Sequence, residues 1–149
     1  MGTRLFSVAE ANQLVPVLES SFRRMLQLRS ELRTTYAELE KLGYAPTWET
    51  LRSPAEVPGH VRSTHGRFLA LAMAMAEEFE SIVSTGVQVK DPETGLCDFP
   101  SLREDRVVLL CWRLGENEVT FWHELDSGYA GRHTVDREPA VHGRSTGVA

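Results

Sequence analysis

A histidine and a glutamate stand side by side at His123-Glu124, with Asp91 and Asp98 upstream and Arg132 downstream. Carboxylate oxygens together with one imidazole are ligands for zinc, manganese or iron. A guanidinium among them would hold an anion instead, through paired N–H groups. Asp91, Asp98, His123, Glu124 and Arg132 are therefore the candidate ligand-binding set, and the first four are the candidate ligands of a divalent transition metal. The alternative is that His123 and Glu124 make surface hydrogen bonds at a strand end. Arg132 would then pair with Asp98 or Glu124 and pin the C-terminal loop. A His-Glu dipeptide also opens a metalloprotease motif, but that motif needs a second histidine one helical turn later. Ser127 occupies that position.

Other chemistry is thinner. Cys97 and Cys111 are the two cysteines and neither belongs to a CxxC pair, which excludes a zinc ribbon or thioredoxin-type motif. Cys111 lies in the middle of an apolar run, where thiols are inert, and is read as a small buried residue. His60 and His65 are five apart, a spacing that does not put both on one helix face. Trp112 and Trp122 are read as core. Gly128 and Gly131 flank Tyr129 just before Arg132, which lets the backbone bend closely around a ligand. No helix start follows, so this is not a phosphate loop.

The elements that must carry these residues are legible from periodicity. Ser7 and Glu10 form a capping box, with Phe6 placed to staple the helix start. Apolar residues then recur at Leu14, Leu18, Phe22, Met25, Leu28, Leu32, Tyr36 and Leu39, in steps of mostly three and four. Pro16 predicts a kink or a break, with a short helix before a long one, and Gly43 predicts the C-terminal cap. Pro46, Pro54 and Pro58 mark a loop with one helical turn near Thr47–Leu51. A second helix follows, with Phe68, Leu71, Met75, Phe79 and Ile82 on its apolar face, to about Gly86. Two long helices joined by one loop predict an antiparallel hairpin. Arg23, Arg24 and Arg29 on the first would then lie near Glu77, Glu78 and Glu80 on the second.

After Gly86 the pattern becomes that of strands: Val87–Lys90, a turn over Asp91–Gly95, a short strand over Leu96–Phe99 stopped by Pro100, then Val107–Trp112, and Val119–Glu124. A hairpin centred on Gly115-Glu116 sets Leu110 opposite Phe121, which puts His123 and Cys111 on opposite faces of the sheet. The fold class is thus α+β, a helix hairpin over about 7–85 followed by a β-meander over about 86–133 and a loose tail over 134–149, as one domain.

The combination Phe6 and Glu10-Ala11-Asn12 with Pro16, Val89-Lys90-Asp91, Gly95 through Pro100, Leu110 through Glu116, Trp122-His123-Glu124 and Gly128 through Arg132 resembles domain-of-unknown-function family 2203 from Phe6 to Arg132. The resemblance implies a bacterial or archaeal cytosolic protein. It brings no established activity, cofactor or catalytic residue.

Composition narrows the function classes. A net charge of −5 argues against a nucleic-acid binder, which needs a basic face. The longest apolar stretch, Phe68–Ala76, is too short to span a bilayer, and no signal-peptide run precedes it, so a cytoplasmic location is expected. Two function classes remain. One is a non-enzymatic binding or interaction module that self-associates through its helices as a homodimer, with a protein or small-molecule partner. The other is a small metal protein or enzyme with its site at the end of the meander.

Overall fold

Ser7 and Glu10 open the first helix by exchanging hydrogen bonds. The Glu10 amide donates to Ser7 Oγ (3.0 Å) and the Ser7 amide to Glu10 Oε1 (2.9 Å), which occupies two amides a helix start would leave unpaired. The computed structural model describes residues 2–135, and helix α1 runs through Val8–Lys41 without interruption. The expected break at Pro16 is corrected to a single helix. Proline removes one hydrogen bond and costs about 3 kcal/mol inside a helix. The turns around it bury Ala11, Val15, Leu18 and Phe22, and roughly 1.5–3 kcal/mol for each large apolar side chain outweighs that loss. At the other end Gly43 adopts φ +77°. Its amide reaches the Glu40 carbonyl (2.9 Å) and that of Tyr44 reaches Leu39 (3.0 Å), the paired bonds that close a helix through a left-handed residue.

The chain divides into two compact units, one of Arg23–Glu80 and one made of the residues up to Phe22 and from Ser81 onward. In the helical unit, α2 (Trp48–Arg52) starts on the Thr47 cap, at the expected helical turn. Helix α3 (Arg62–Val83) begins in this unit and ends in the other. Leu39, Val57 and Val61 form the buried core here, with Tyr44 and Phe68 partly buried against it. Contacts between α1 and α3 run in reverse order along the chain: Arg24 with Glu78 (3.3 Å), Tyr36 with Phe68 (rings 6.0 Å apart) and Glu38 with Arg67 (3.2 Å). Between His65 and Ile82 no residue of α3 is fully buried.

The other unit holds an antiparallel sheet of five strands in sequential order, β1 (Gln88–Asp91), β2 (Leu96–Arg103), β3 (Arg106–Trp112), β4 (Phe121–His123) and β5 (His133–Thr134). The meander is as expected, and β5 is an addition. Residues 136–149 of the expected loose tail lie outside the described residues. Gly95 closes the β1–β2 turn at φ +71°, where a Cβ would stand 2.6 Å from Leu114 Cβ. Glu104 and Asp105, at φ 50° and 64°, make the two-residue turn between Arg103 and Arg106, the geometry that matches the natural twist of a hairpin.

Two expectations about the strands are corrected. Strand β2 passes through Pro100 to Arg103. Proline is tolerated in a strand where its nitrogen faces an unpaired edge, and β1 pairs with β2 only as far as Asp98. The Pro100 carbonyl accepts from the Phe6 amide (2.7 Å), so that edge is met by the segment leading into α1. The β3–β4 register is also one residue away from expectation: Cys111 faces Phe121, Leu110 faces Trp122 and Leu109 faces His123. No tight turn sets this pairing. Residues 113–120 form a wider loop, held where Trp112 Nε1 donates to the Glu116 carbonyl (3.0 Å) and the Val119 amide donates to Asn12 Oδ1 (2.6 Å).

The face of Phe99, Leu110 and Trp112 packs under the start of the chain, with Phe6 edge-on to Phe99 at 5.3 Å and Phe22 at 6.4 Å from Trp112. Leu110 is 4% exposed in the middle of the central strand. Leu110→Ala should cost about 2–5 kcal/mol, read as a lower midpoint in urea unfolding. A midpoint matching that of the parent chain would show that the strand is not core.

Candidate functional site

The register that departs from expectation builds the site. Asp98 on β2 sits directly across from Cys111 on β3. Phe121 on β4 is Cys111's other neighbour, and His123, two residues along from Phe121, shares its face. Asp98, Cys111 and His123 therefore converge from three adjacent strands. All three are buried, and one ligand atom from each lies within 4.8 Å of the others.

His123 Nδ1 lies 2.8 Å from the Glu124 carbonyl oxygen. A carbonyl only accepts, so Nδ1 carries a hydrogen and donates it. Nε2 is then left facing Asp98 Oδ1 at 3.1 Å. A bare ring lone pair against a carboxylate would repel. The contact is attractive only with a hydrogen or a metal ion between the two atoms. Burial first of all, with added repulsion from Asp98 and Glu116, pushes the Cys111 thiol up to about 11, while Arg132 pulls in the other direction. Cys111 is thus a neutral thiol that donates to Asp98. Cys97, on the opposite face, is pushed up to about 12, chiefly by burial.

Of the residues expected to gather here, Asp98 and His123 do so. Cys111 completes the cluster in place of Asp91 and Glu124. Asp91 Oδ1 accepts from the Glu93 amide (2.9 Å) in the β1–β2 turn, a bond that lowers its carboxyl pKa. Glu124 turns its side chain to Arg106, whose Nη2 and Nε reach the two carboxylate oxygens at 2.6 and 3.3 Å. That guanidinium holds the Glu124 carboxyl below its usual range. Arg132 pairs with Glu116 at 2.9 Å rather than with Asp98 or Glu124. It lies between the rings of Phe121 (3.9 Å) and Tyr129 (4.3 Å), and its Nε is buried without a hydrogen-bond partner. Sequence reasoning missed Cys111 because a one-residue slip in register moves a side chain to the other face.

The arrangement is not that of a cysteine nucleophile. A nucleophilic thiol needs a ring nitrogen free to take its proton. Both nitrogens of His123 are engaged with other partners, and Cys111 holds its proton. What the three side chains can do is share a cation.

Two outcomes follow. Asp98→Ala removes one half of a buried pair and should cost about 3–5 kcal/mol. Glu124→Ala breaks an exposed, solvent-screened pair and should cost far less. Chemical denaturation of both variants checks the contrast, and equal losses would refute it. The thiols give the second outcome. Both folded pKa values lie above the ordinary 9.0, so their neutral forms favour the folded state. This contribution is complete below pH 9 and is lost as pH rises toward 11–12. At pH 8 Ellman's reagent should find almost no reactive thiol in the native chain and two after denaturation, because only thiolate reacts.

Comparison with curated proteins returned no match, and comparison with solved structures returned none. The family model described as an uncharacterized conserved protein, DUF2203, matches residues 4–135, nearly the whole of the described chain. The capping box at Ser7, the strand trio of Asp98, Cys111 and His123, and the loop ending at Arg132 all fall inside that match, and the chain belongs to the DUF2203 family.

Proposed function

We propose that this chain is a non-enzymatic binding module that self-associates through its helices as a homodimer. The observation that carries the reading is the half-covered apolar row of α3. Phe68, Leu71 and Met75 follow one another at helical spacing yet stay half-buried, and Phe79 in the same row is 37% exposed. An apolar helix stripe is stable when a second layer covers it. In an antiparallel hairpin of α1 and α3, a two-fold copy of the same hairpin supplies that layer as a four-helix arrangement. The reversed order of the α1–α3 contacts supports the hairpin. The charged residues beside the stripe, Arg24 with Glu78 and Glu38 with Arg67, are already paired within one chain, which leaves apolar contact to hold two copies together. The engaged ring of His123 and the protonated Cys111 support the non-enzymatic part of the reading, since neither is poised to attack a substrate.

Light scattering at micromolar concentration should give twice the chain mass. Phe79→Lys should shift the species toward monomer while the helical circular dichroism stays unchanged. A monomer for the parent chain overturns the reading.

A further inference from the structure

We infer that Asp98, Cys111 and His123 form a binding site for a divalent transition metal, with zinc the ion that best suits one thiolate, one imidazole and one carboxylate. The inference concerns the sheet alone and does not rest on self-association. Three features support it. The first is proximity, since the three ligand atoms lie within 4.8 Å of one another. Zinc bonds of about 2.0–2.3 Å in a tetrahedron hold neighbouring ligand atoms roughly 3.3–3.7 Å apart. The 3.1 Å between His123 Nε2 and Asp98 Oδ1 must open by a few tenths of an ångström, and a separation at the 4.8 Å limit must close by about one.

The second is orientation. A metal-binding histidine is commonly fixed by donating its other ring nitrogen to a carbonyl or carboxylate. His123 Nδ1 does so to the Glu124 carbonyl at 2.8 Å, which fixes the tautomer and turns Nε2 toward Asp98. The third is burial. Asp98 and His123 side chains are each 3% exposed, and a cation beside a carboxylate at this depth offsets the cost of burying it. The thiolate selects against magnesium and calcium, which take oxygen ligands. Three protein ligands leave the fourth tetrahedral position to water or a small ligand. On binding, the Cys111 thiol gives up its proton to solvent as the metal–sulfur bond forms.

Cobalt(II) is the probe, because a thiolate-bound tetrahedral cobalt ion absorbs strongly in the near ultraviolet and visible. Full-length protein is prepared without a metal-binding tag, stripped with a chelator and titrated with cobalt. The expected result is one ion per chain, a sulfur-to-cobalt charge-transfer band, and loss of that band when zinc is added. Cys111→Ser should abolish the band, and Cys97→Ser, on the opposite face, should retain it. Asp98→Asn should weaken cobalt binding by roughly tenfold or more. Native mass spectrometry of the unmodified chain with zinc needs no variant and should show the increment of one ion. Failure of the unmodified chain to give the band or the mass increment overturns the inference. So does a band that survives in Cys111→Ser, or one that disappears in Cys97→Ser.

Discussion

A carboxylate inside a sheet has to be answered. Asp98 is 2% exposed, and an unpaired charge at that depth costs several kcal/mol. Its partners come from the two strands that follow β2. Cys111 lies directly across, and His123 one strand further with its ring turned by the Glu124 carbonyl. This one requirement ties together the register of β3 with β4, the backbone of residue 124 and the protonation of a thiol. Glu124 serves twice, its carbonyl facing inward to His123 and its carboxylate outward to Arg106.

Much of the architecture could be read from the residues. The capping box at Ser7, the cap at Gly43, the turn at Thr47 and the order of the strands follow from local chemistry, and local chemistry is what a sequence displays. The failures share a different cause. Pro16 sits inside a continuous helix because the burial of Val15 and Leu18 outweighs one missing hydrogen bond. Pro100 sits inside a strand because β1 is too short to reach it. Neither fact is written in the neighbouring residues; both depend on what packs from elsewhere in the chain.

The candidate site fared the same way. Asp98 and His123 could be named from their residue types. Cys111 could not, because its face depends on a loop anchored by Asn12, 107 residues away from Val119. Glu124 and Arg132 have nearer demands on them: Arg106 opens β3, the strand next to the one Glu124 follows, and Glu116 lies in the loop beside Arg132. Charged residues near a site are claimed by whichever opposite charge lies closest, and that competition is settled in three dimensions.

The segment before α1 has a bearing on how copies of this chain behave when crowded. Among the described residues the outer rim of β2 has no strand beside it beyond Asp98, and a bare rim of amides and carbonyls is a template on which another chain can extend a sheet. Here the template is spoiled at its centre. Pro100 has no N–H to offer, and its carbonyl is already taken by the Phe6 amide at 2.7 Å. The residue that breaks the strand rule is thereby a guard against edge-to-edge aggregation. The outer strands β1 and β5 are only four and two residues long, and edges that short are poor templates for another chain.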